Sequence, residues 1–284
     1  FLFIFFRIFA ISIIVIFAIV IFLYILSQDL PSIETLQNYK PIQVAKIISA
    51  DGKPLKELYI DQKRDVVEIG KVPKDLRNAL IFMEDRKFFE HPGADIWGLM
   101  RAGFVNISGG SLQGASTLTQ QLARNMYNDI GFEKSFIRKI KEAITAYNIE
   151  NIYTKSEIME LYLNSVYFGH GRYGIQAASE YYFGKNVNEL ILDECAILIG
   201  LLPAPAKYSP INHPDKSADR KKLVLGVMYN QGYISKLEYD MTANRSMPPR
   251  GIIEGKGIAP YFTEYIRRKL EKIDEELDVN LYKD

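Results

Sequence analysis

The chain has 284 residues, 48% hydrophobic and 24% charged, with 35 Lys and Arg against 34 Asp and Glu. That balance excludes disordered, collagen-like and low-complexity chains, and it offers no general basic field for nucleic acid. One Cys, Cys195, excludes an internal disulfide framework, and three His (His91, His170, His213) without an H-E-x-x-H pair argue against a zinc hydrolase.

Hydrophobicity is concentrated at the start. From Phe1 to Leu26 only Arg7 and Ser12 are not apolar. As a helix rising about 1.5 Å per residue, the run from Ile8 to Leu26 would cover roughly 28 Å, about one bilayer core. It is longer than the apolar part of a cleavable signal, and Ser27-Gln28-Asp29-Leu30-Pro31 is unlike a small-x-small cleavage site. Residues 1–27 therefore read as a retained transmembrane anchor. A buried core helix fits less well, because the segment is apolar all round. Arg7 on one flank, with Asp29 and Glu34 on the other, favours an N-terminus in the cytoplasm. With Arg7 in the anchor, 34 basic residues face 34 acidic ones outside it, so the water-exposed part is formally neutral.

Residues 30–41 are polar with two prolines and read as a linker. Residues 45–69 have β character: Ile47-Ile48 before Asp51-Gly52, a hairpin signal, then Leu58-Tyr59-Ile60 and Val66-Val67. From Pro73 the periodicity is helical. Helices are predicted over 75–90, ending at His91-Pro92-Gly93, and near 96–106, 117–127, 134–153, 156–165, 174–182, 187–201 and 215–230. Pro203, Pro205 and Pro210 break the chain before the last of these. Residues 246–284 differ in character, opening on Pro248-Pro249-Arg250-Gly251 and holding a helical segment over 260–276. The chain thus divides into an anchor (1–27), a mainly helical domain (28–245) and a following linker (246–284).

Four stretches could carry chemistry. In the first, Glu84-Asp85 closes the apolar run Leu80-Ile81-Phe82-Met83 and precedes Phe88-Phe89 and His91-Pro92-Gly93. Apolar surroundings raise a carboxylate's pKa, which suits a general acid or base. Most helix carboxylates are inert, so locally a salt-bridged helix end is the commoner reading. In the second, Gly114-Ala115-Ser116-Thr117 opens a helix carrying Gln121, Arg124 and Asn125 at one-turn spacings. Free N–H groups and hydroxyls there could hold a phosphate, or could form an ordinary N-cap. The third has Arg138, Lys139 and Glu142, with Phe136, Ile140, Ile144 and Tyr147 as its buried stripe. An i,i+4 helix pair accounts for Arg138 and Glu142 as readily as a diphosphate site does. The fourth, Tyr162-Leu163-Asn164, has the spacing of a core helix, and Cys195 reads as a small buried residue.

Taken in order, these stretches resemble the peptidoglycan glycosyltransferase family, the module of class A penicillin-binding proteins and of monofunctional transglycosylases. E-D-x-x-F-x-x-H-x-G fits Glu84 to Gly93, G-A-S-T-L-T-Q-Q fits Gly114 to Gln121, R-K-x-x-E fits Arg138 to Glu142, and Y-L-N fits Tyr162 to Asn164. Tyr181-Tyr182-Phe183-Gly184-Lys185 is similar as well. The resemblance covers about residues 30–245 and the anchor. Residues 259–266 are similar to the segment leading into a penicillin-binding transpeptidase, whose S-x-x-K and K-T-G pair is not found here, so the chain reads as the first module of a bifunctional enzyme.

The resemblance implies a lysozyme-like helical lobe with a smaller membrane-proximal lobe and a cleft between them. Its substrates would be lipid II and the growing glycan chain, joined by β-1,4 bonds. Glu84 would take the proton from the acceptor 4-hydroxyl, which attacks C1 of the donor MurNAc with inversion and releases the polyprenyl diphosphate. Arg124, Arg138 and Lys139 would neutralise the diphosphate, with Ser116, Thr117, Gln121 and Asn125 as neutral contacts. Asp85 and His91 would shape the Glu84 site. Glu142 would orient the cations and is the candidate for a divalent cation, Mg or Mn; no other cofactor is expected. A phosphoglycolipid inhibitor of moenomycin type would occupy the same cleft, and nucleic acid would not bind. The setting would be a bacterial inner membrane, crossed once, with the catalytic domain on the outer side. Ala115 stands where many members of the family have Gly, and Arg124 where Lys is also common, which keeps the charge but alters its geometry. The rival readings are a membrane-anchored muramidase-like hydrolase, which would not need the three cations, and a catalytically degenerate scaffold, which would have lost motif residues.

Overall fold

The structure is a computed structural model and describes residues 2–28, 30, 45–48, 54–58, 66–95, 116–126, 136–246 and 269. It is mainly helical with one small antiparallel hairpin. Helix α1 (Leu2–Gln28) is followed by β1 (Ala45–Ile48), β2 (Pro54–Leu58), α2 (Lys74–Glu84), α3 (Leu118–Met126), α4 (Phe136–Ile152) and α5 (Lys155–Ser165). Then come α6 (Ile175–Phe183), α7 (Leu192–Leu201), the single turn α8 (Pro205–Tyr208), α9 (Pro214–Asn230) and α10 (Lys236–Ala243).

Two compact units share these elements: Phe1–Tyr39 with His91–Thr154, and Lys40–Glu90 with Lys155–Asp284. The first holds α1, α3 and α4. Phe9–Gln28 within α1 is long and apolar enough to cross a membrane. Phe9, Ile14 and Phe17 stand exposed around it, as expected of a helix solvated by lipid rather than buried in a core. α1 and α3 each pack on α4.

The second unit is built around α7, where every residue from Asp193 to Leu201 is buried. α2, α9 and α10 pack on it, and α6 joins it to α5. A helix surrounded this way is apolar on all sides except where partners exist for its charges. Asp193 meets such a partner in Lys221 of α9, at 2.9 Å with both side chains almost fully buried. Lys221 also donates to the Arg245 carbonyl at 2.7 Å, tying the end of the described fold to its centre. Burial raises the Asp193 pKa, and Lys221 pulls it back.

Several boundaries differ from the sequence reading. The predicted helix over 187–201 is two pieces, a 3-10 turn (Val187–Glu189) and α7. Two glutamates cap successive starts: Glu189 accepts from Asn186 N at 2.9 Å and Glu194 from Ile191 N at 3.0 Å. α10 was missed, although Ser235 and Glu238 form a capping box that the sequence carries. The hairpin pairs Ala45 with Leu58 and Ile48 with Pro54. Val66-Val67 joins no strand. Instead Asn164 grips Val67 as a strand would, accepting from its N–H at 2.9 Å and donating to its carbonyl at 2.8 Å. The Asp51-Gly52 turn, the helices over 96–106 and 260–276, the linker 247–284 and the loops 106–114 and 127–134 lie outside the described residues, Lys269 apart.

Candidate active site

α2 is amphipathic: Leu76, Ala79, Leu80 and Ile81 are buried and Glu84 is its last residue, half-buried. The helix stops six residues earlier than predicted. Asp85 leaves the helical conformation at φ −156° and ψ 80°, and its carbonyl accepts from Phe88 N at 3.0 Å. That turn carries Phe88 to full burial beneath the Lys155 ammonium, 4.7 Å from the ring centre, and leaves Phe89 65% exposed. The turn thus buries one of the two adjacent aromatics and leaves the other in solvent. Glu84 sits at the rim of this turn, and Asp85 is buried behind it.

The first unit holds the other candidate site residues, from His91 to Glu142. His91 is buried, and its Nδ1 accepts from Gly93 N at 3.1 Å. Gly93 has φ +98°, and a Cβ there would lie 2.8 Å from the Ala146 backbone, so this turn rests directly on α4. Thr117 donates to the Gly93 carbonyl at 2.6 Å and accepts from Gln120 N at 3.2 Å, while Gln120 Oε1 accepts from Thr117 N at 3.2 Å. This capping box starts α3 and uses the hydroxyl's proton and one of its two acceptor positions. Thr117 is 2% exposed. On α3, Gln121, Arg124 and Asn125 lie off the buried face formed by Leu118, Leu122 and Ala123.

α4 faces inward differently from the prediction. Its buried residues are Glu142, Thr145, Ala146 and Ile149, at i, i+3, i+4 and i+7. Tyr147 of the predicted stripe is 54% exposed, and Ile140 and Ile144 are half-buried. A carboxylate at the centre of the buried face displaces the expected apolar stripe because cations satisfy it. Lys139 Nζ bonds Glu142 Oε2, Arg138 Nε lies 3.3 Å from Glu142 Oε1, and Lys139 Nζ also donates to Ser116 Oγ at 2.6 Å.

Ser116, Lys139, Glu142 and Arg138 therefore form one connected cluster linking the start of α3 to α4. Glu142 is 1% exposed, Arg138 13% and Lys139 38%. The carboxylate holds the two cations, Lys139 partly exposed and Arg138 mostly buried. Two cations against one carboxylate leave a local excess of positive charge suited to an anion. Both Glu142 oxygens face cations, a setting that does not fit a divalent metal at that residue. Thr119 adds a second tie between α3 and α4 by donating to Glu150 at 2.6 Å. Glu84 and Asp85 belong to the other compact unit.

Sequence reasoning missed the loop between α5 and α6. Gly169, His170 and Gly171 take φ of 93°, 52° and 71° in succession. Phe168 N donates to the Arg172 carbonyl at 2.8 Å, Tyr182 Oη to the Phe168 carbonyl at 2.8 Å, and His170 Nε2 bonds Ser209 Oγ at 2.9 Å. The Gly-x-Gly spacing was the available signal. Burial, then the nearby Arg172 charge, lowers the His170 pKa.

A family model described as Transglycosylase matches residues 51–229. Penicillin-binding protein 1F of Bacillus subtilis is 40% identical over 237 residues, covering 83% of this chain and 32% of that protein. Penicillin-binding protein 1A of Neisseria gonorrhoeae is 41% identical over 250 residues, covering 87% of this chain and 31% of that protein. A crystal structure of penicillin-binding protein 1A from Haemophilus influenzae is 27% identical, covers 82% of this chain and 25% of that one, and has a TM-score of 0.49. The chain spans about a third of the length of the curated relatives it matches.

Proposed function

The chain belongs to the transglycosylase family, and on that premise we propose that it polymerises lipid II into β-1,4-linked glycan strands of peptidoglycan. The observation that carries this reading is the cluster of Ser116, Lys139, Glu142 and Arg138. A glycan hydrolase breaks a bond between neutral sugars and has no use for paired cations held on a buried carboxylate. A diphosphate leaving group needs positive charge where its own charge develops, and cations fixed in advance supply it without reorganisation.

In this mechanism Glu84 is the general base. It removes the proton from the acceptor 4-hydroxyl as that oxygen bonds to C1 of the donor. The bond from C1 to the diphosphate oxygen breaks on the opposite face, so the anomeric centre inverts. The electron pair leaves with the polyprenyl diphosphate, whose charge Arg138, Lys139 and Arg124 neutralise. Gln121 and Asn125 contact the substrate from α3, and Asp85 and His91 support the Glu84 turn. Glu142 positions the cations. α1 supports an anchor in a bacterial inner membrane, where a polyprenyl-linked substrate resides, with the chain that follows it on the outer side. A phosphoglycolipid of moenomycin type would compete for the same cations.

The test is polymerisation of purified lipid II in detergent micelles. Glu84→Gln is expected to lower the rate by at least ~10²-fold, the scale of general base catalysis. Arg138→Ala is expected to cost ~10²–10³-fold, as for loss of a preorganised charge contact. Lys216→Ala, a change at an exposed residue of α9, should stay within about twofold of wild type. Undiminished polymer from Glu84→Gln would falsify the base assignment. Release of sugars from finished glycan without polymer would establish the hydrolase instead.

A further inference from the structure

The second compact unit carries a groove that the catalytic residues do not use. Its volume is about 360 Å³, within the ~300–1,000 Å³ range of small-ligand sites. One wall is the extended run Val66-Val67 with Lys71; the other is Gln176 and Glu180 of α6 with Asn186 and Asn188.

The walls are fixed before any ligand arrives. Gln176 Nε2 donates to Glu180 Oε1 at 2.7 Å and to Asn186 Oδ1 at 3.0 Å, and its Oε1 accepts from Val187 N at 3.0 Å. One buried amide thus sets the positions of a carboxylate and a second amide. Across the groove, Asn164 takes both backbone groups of Val67. In an extended run the neighbouring residue's groups point to the other side. The N–H and carbonyl of Val66 have no hydrogen-bond partner among the described residues, and Val66 is half exposed. Lys71, its side chain 66% exposed, stands at the same wall, with Glu68 3.6 Å away.

The chemistry of this lining selects a class of ligand. No aromatic ring lines the groove among the described residues, so a sugar ring has no face to stack on. A single open N–H and carbonyl pair, amide side chains, one carboxylate and one ammonium match a short peptide carrying both an acid and an amine. One open pair suits a single residue of an irregular peptide rather than a long strand.

We propose that this groove binds the stem peptide carried by the glycan substrate, with Val66 holding one peptide unit, Lys71 a ligand carboxylate, and Glu180 a ligand ammonium. The proposal rests on the lipid II reading above and names the part of the substrate that reading leaves unplaced. The groove would act as a specificity subsite separate from the cation cluster.

The experiment uses the full chain in micelles and the soluble pentapeptide L-Ala-γ-D-Glu-L-Lys-D-Ala-D-Ala as probe, followed by calorimetry. Wild type is expected to bind saturably, and Lys71→Glu and Asn188→Ala to weaken binding at least fivefold each. Both side chains are exposed, so these variants should melt with wild type, and Lys236→Glu on α10 should bind as wild type does. In turnover, the ratio of kcat/KM for pentapeptide lipid II over its peptide-free analogue should fall toward one in both groove variants. No saturable binding by wild type, or equal binding by the groove variants, overturns the proposal. Peptide binding without any polymerisation would keep the groove and defeat the lipid II reading. Polymerisation without peptide binding would do the reverse.

Discussion

Glu142 shows how one buried charge can serve both stability and chemistry. Its side chain is 1% exposed with two cations on it. Removing a buried ion's partner costs about 3–5 kcal/mol, but Lys139 is 38% exposed and solvent screens part of that. Glu142→Gln should therefore lose roughly 1–3 kcal/mol in denaturant unfolding, and its polymerisation defect should exceed what the unfolded fraction explains. A purely structural Glu142 would lose activity only in proportion to folded protein. His170 makes a second prediction. Its folded pKa lies below the ordinary 6.5, through burial first and the Arg172 charge second. A base depressed in the fold contributes stability above its unfolded pKa, and that contribution is lost as pH falls through the folded value. Stability of wild type should thus decline below about pH 6.5 more steeply than that of His170→Asn, which tolerates the left-handed φ of 52°. Parallel slopes for the two proteins would remove His170 as the source.

At the scale of elements, close backbone approaches matter more than glycine content. Gly93 and Gly232 both have positive φ, 98° and 71°, but only Gly93 faces neighbouring backbone, with Ala146 at 2.8 Å from a Cβ, while Gly232 faces open space. Gly232→Ala should cost about 1 kcal/mol from conformation alone. Gly93→Ala should cost well beyond that, because the His91-Pro92-Gly93 turn must also lift off α4. Melting of the two variants compares them directly, and equal losses would mean the turn yields freely. The same contrast explains what the sequence made legible. Apolar periodicity located α2, α5, α6 and α9, because their buried faces are carbon. It misplaced the buried face of α4, because that face carries Glu142, a charge buried only through Arg138 and Lys139 one turn back on the same helix. It overran α2, because the chain leaves the helical conformation at Asp85 while the apolar pattern continues through Phe88. The motif residues Ser116, Arg138, Lys139 and Glu142 were legible as a set. The Asn164 grip on Val67 joins residues 97 apart in sequence, and no local pattern reports it. Lys221 was equally hidden, since a buried lysine is intelligible only beside Asp193.

For the molecule as a whole, charge and hydrophobicity are distributed rather than abundant. The net charge is +1, yet two cations are gathered on one carboxylate, and the apolar excess is gathered into α1. The proposed reaction on a lipid-linked diphosphate would use this arrangement: local cations at the reaction, and a body held at the bilayer that keeps the lipid. The proposed orientation rests on Arg7 near one end of α1, since basic flanks favour the cytoplasm. Cysteine labelling in intact cells tests it. The native Cys195 is fully buried and burial pushes its thiol pKa up, so it holds little reactive thiolate and stays silent. Leu30→Cys, just beyond α1, should react with a membrane-impermeant maleimide added outside a spheroplast. Phe3→Cys, at the other end and 85% exposed, should react only after the membrane is opened. The reverse pattern would put the chain that follows α1 in the cytoplasm, where no cell-wall strand is built. Labelling of both sites in intact spheroplasts would mean that α1 does not span the membrane. The first result would defeat the proposed location, and the second would remove the physical reason for an apolar helix on a protein of otherwise neutral net charge.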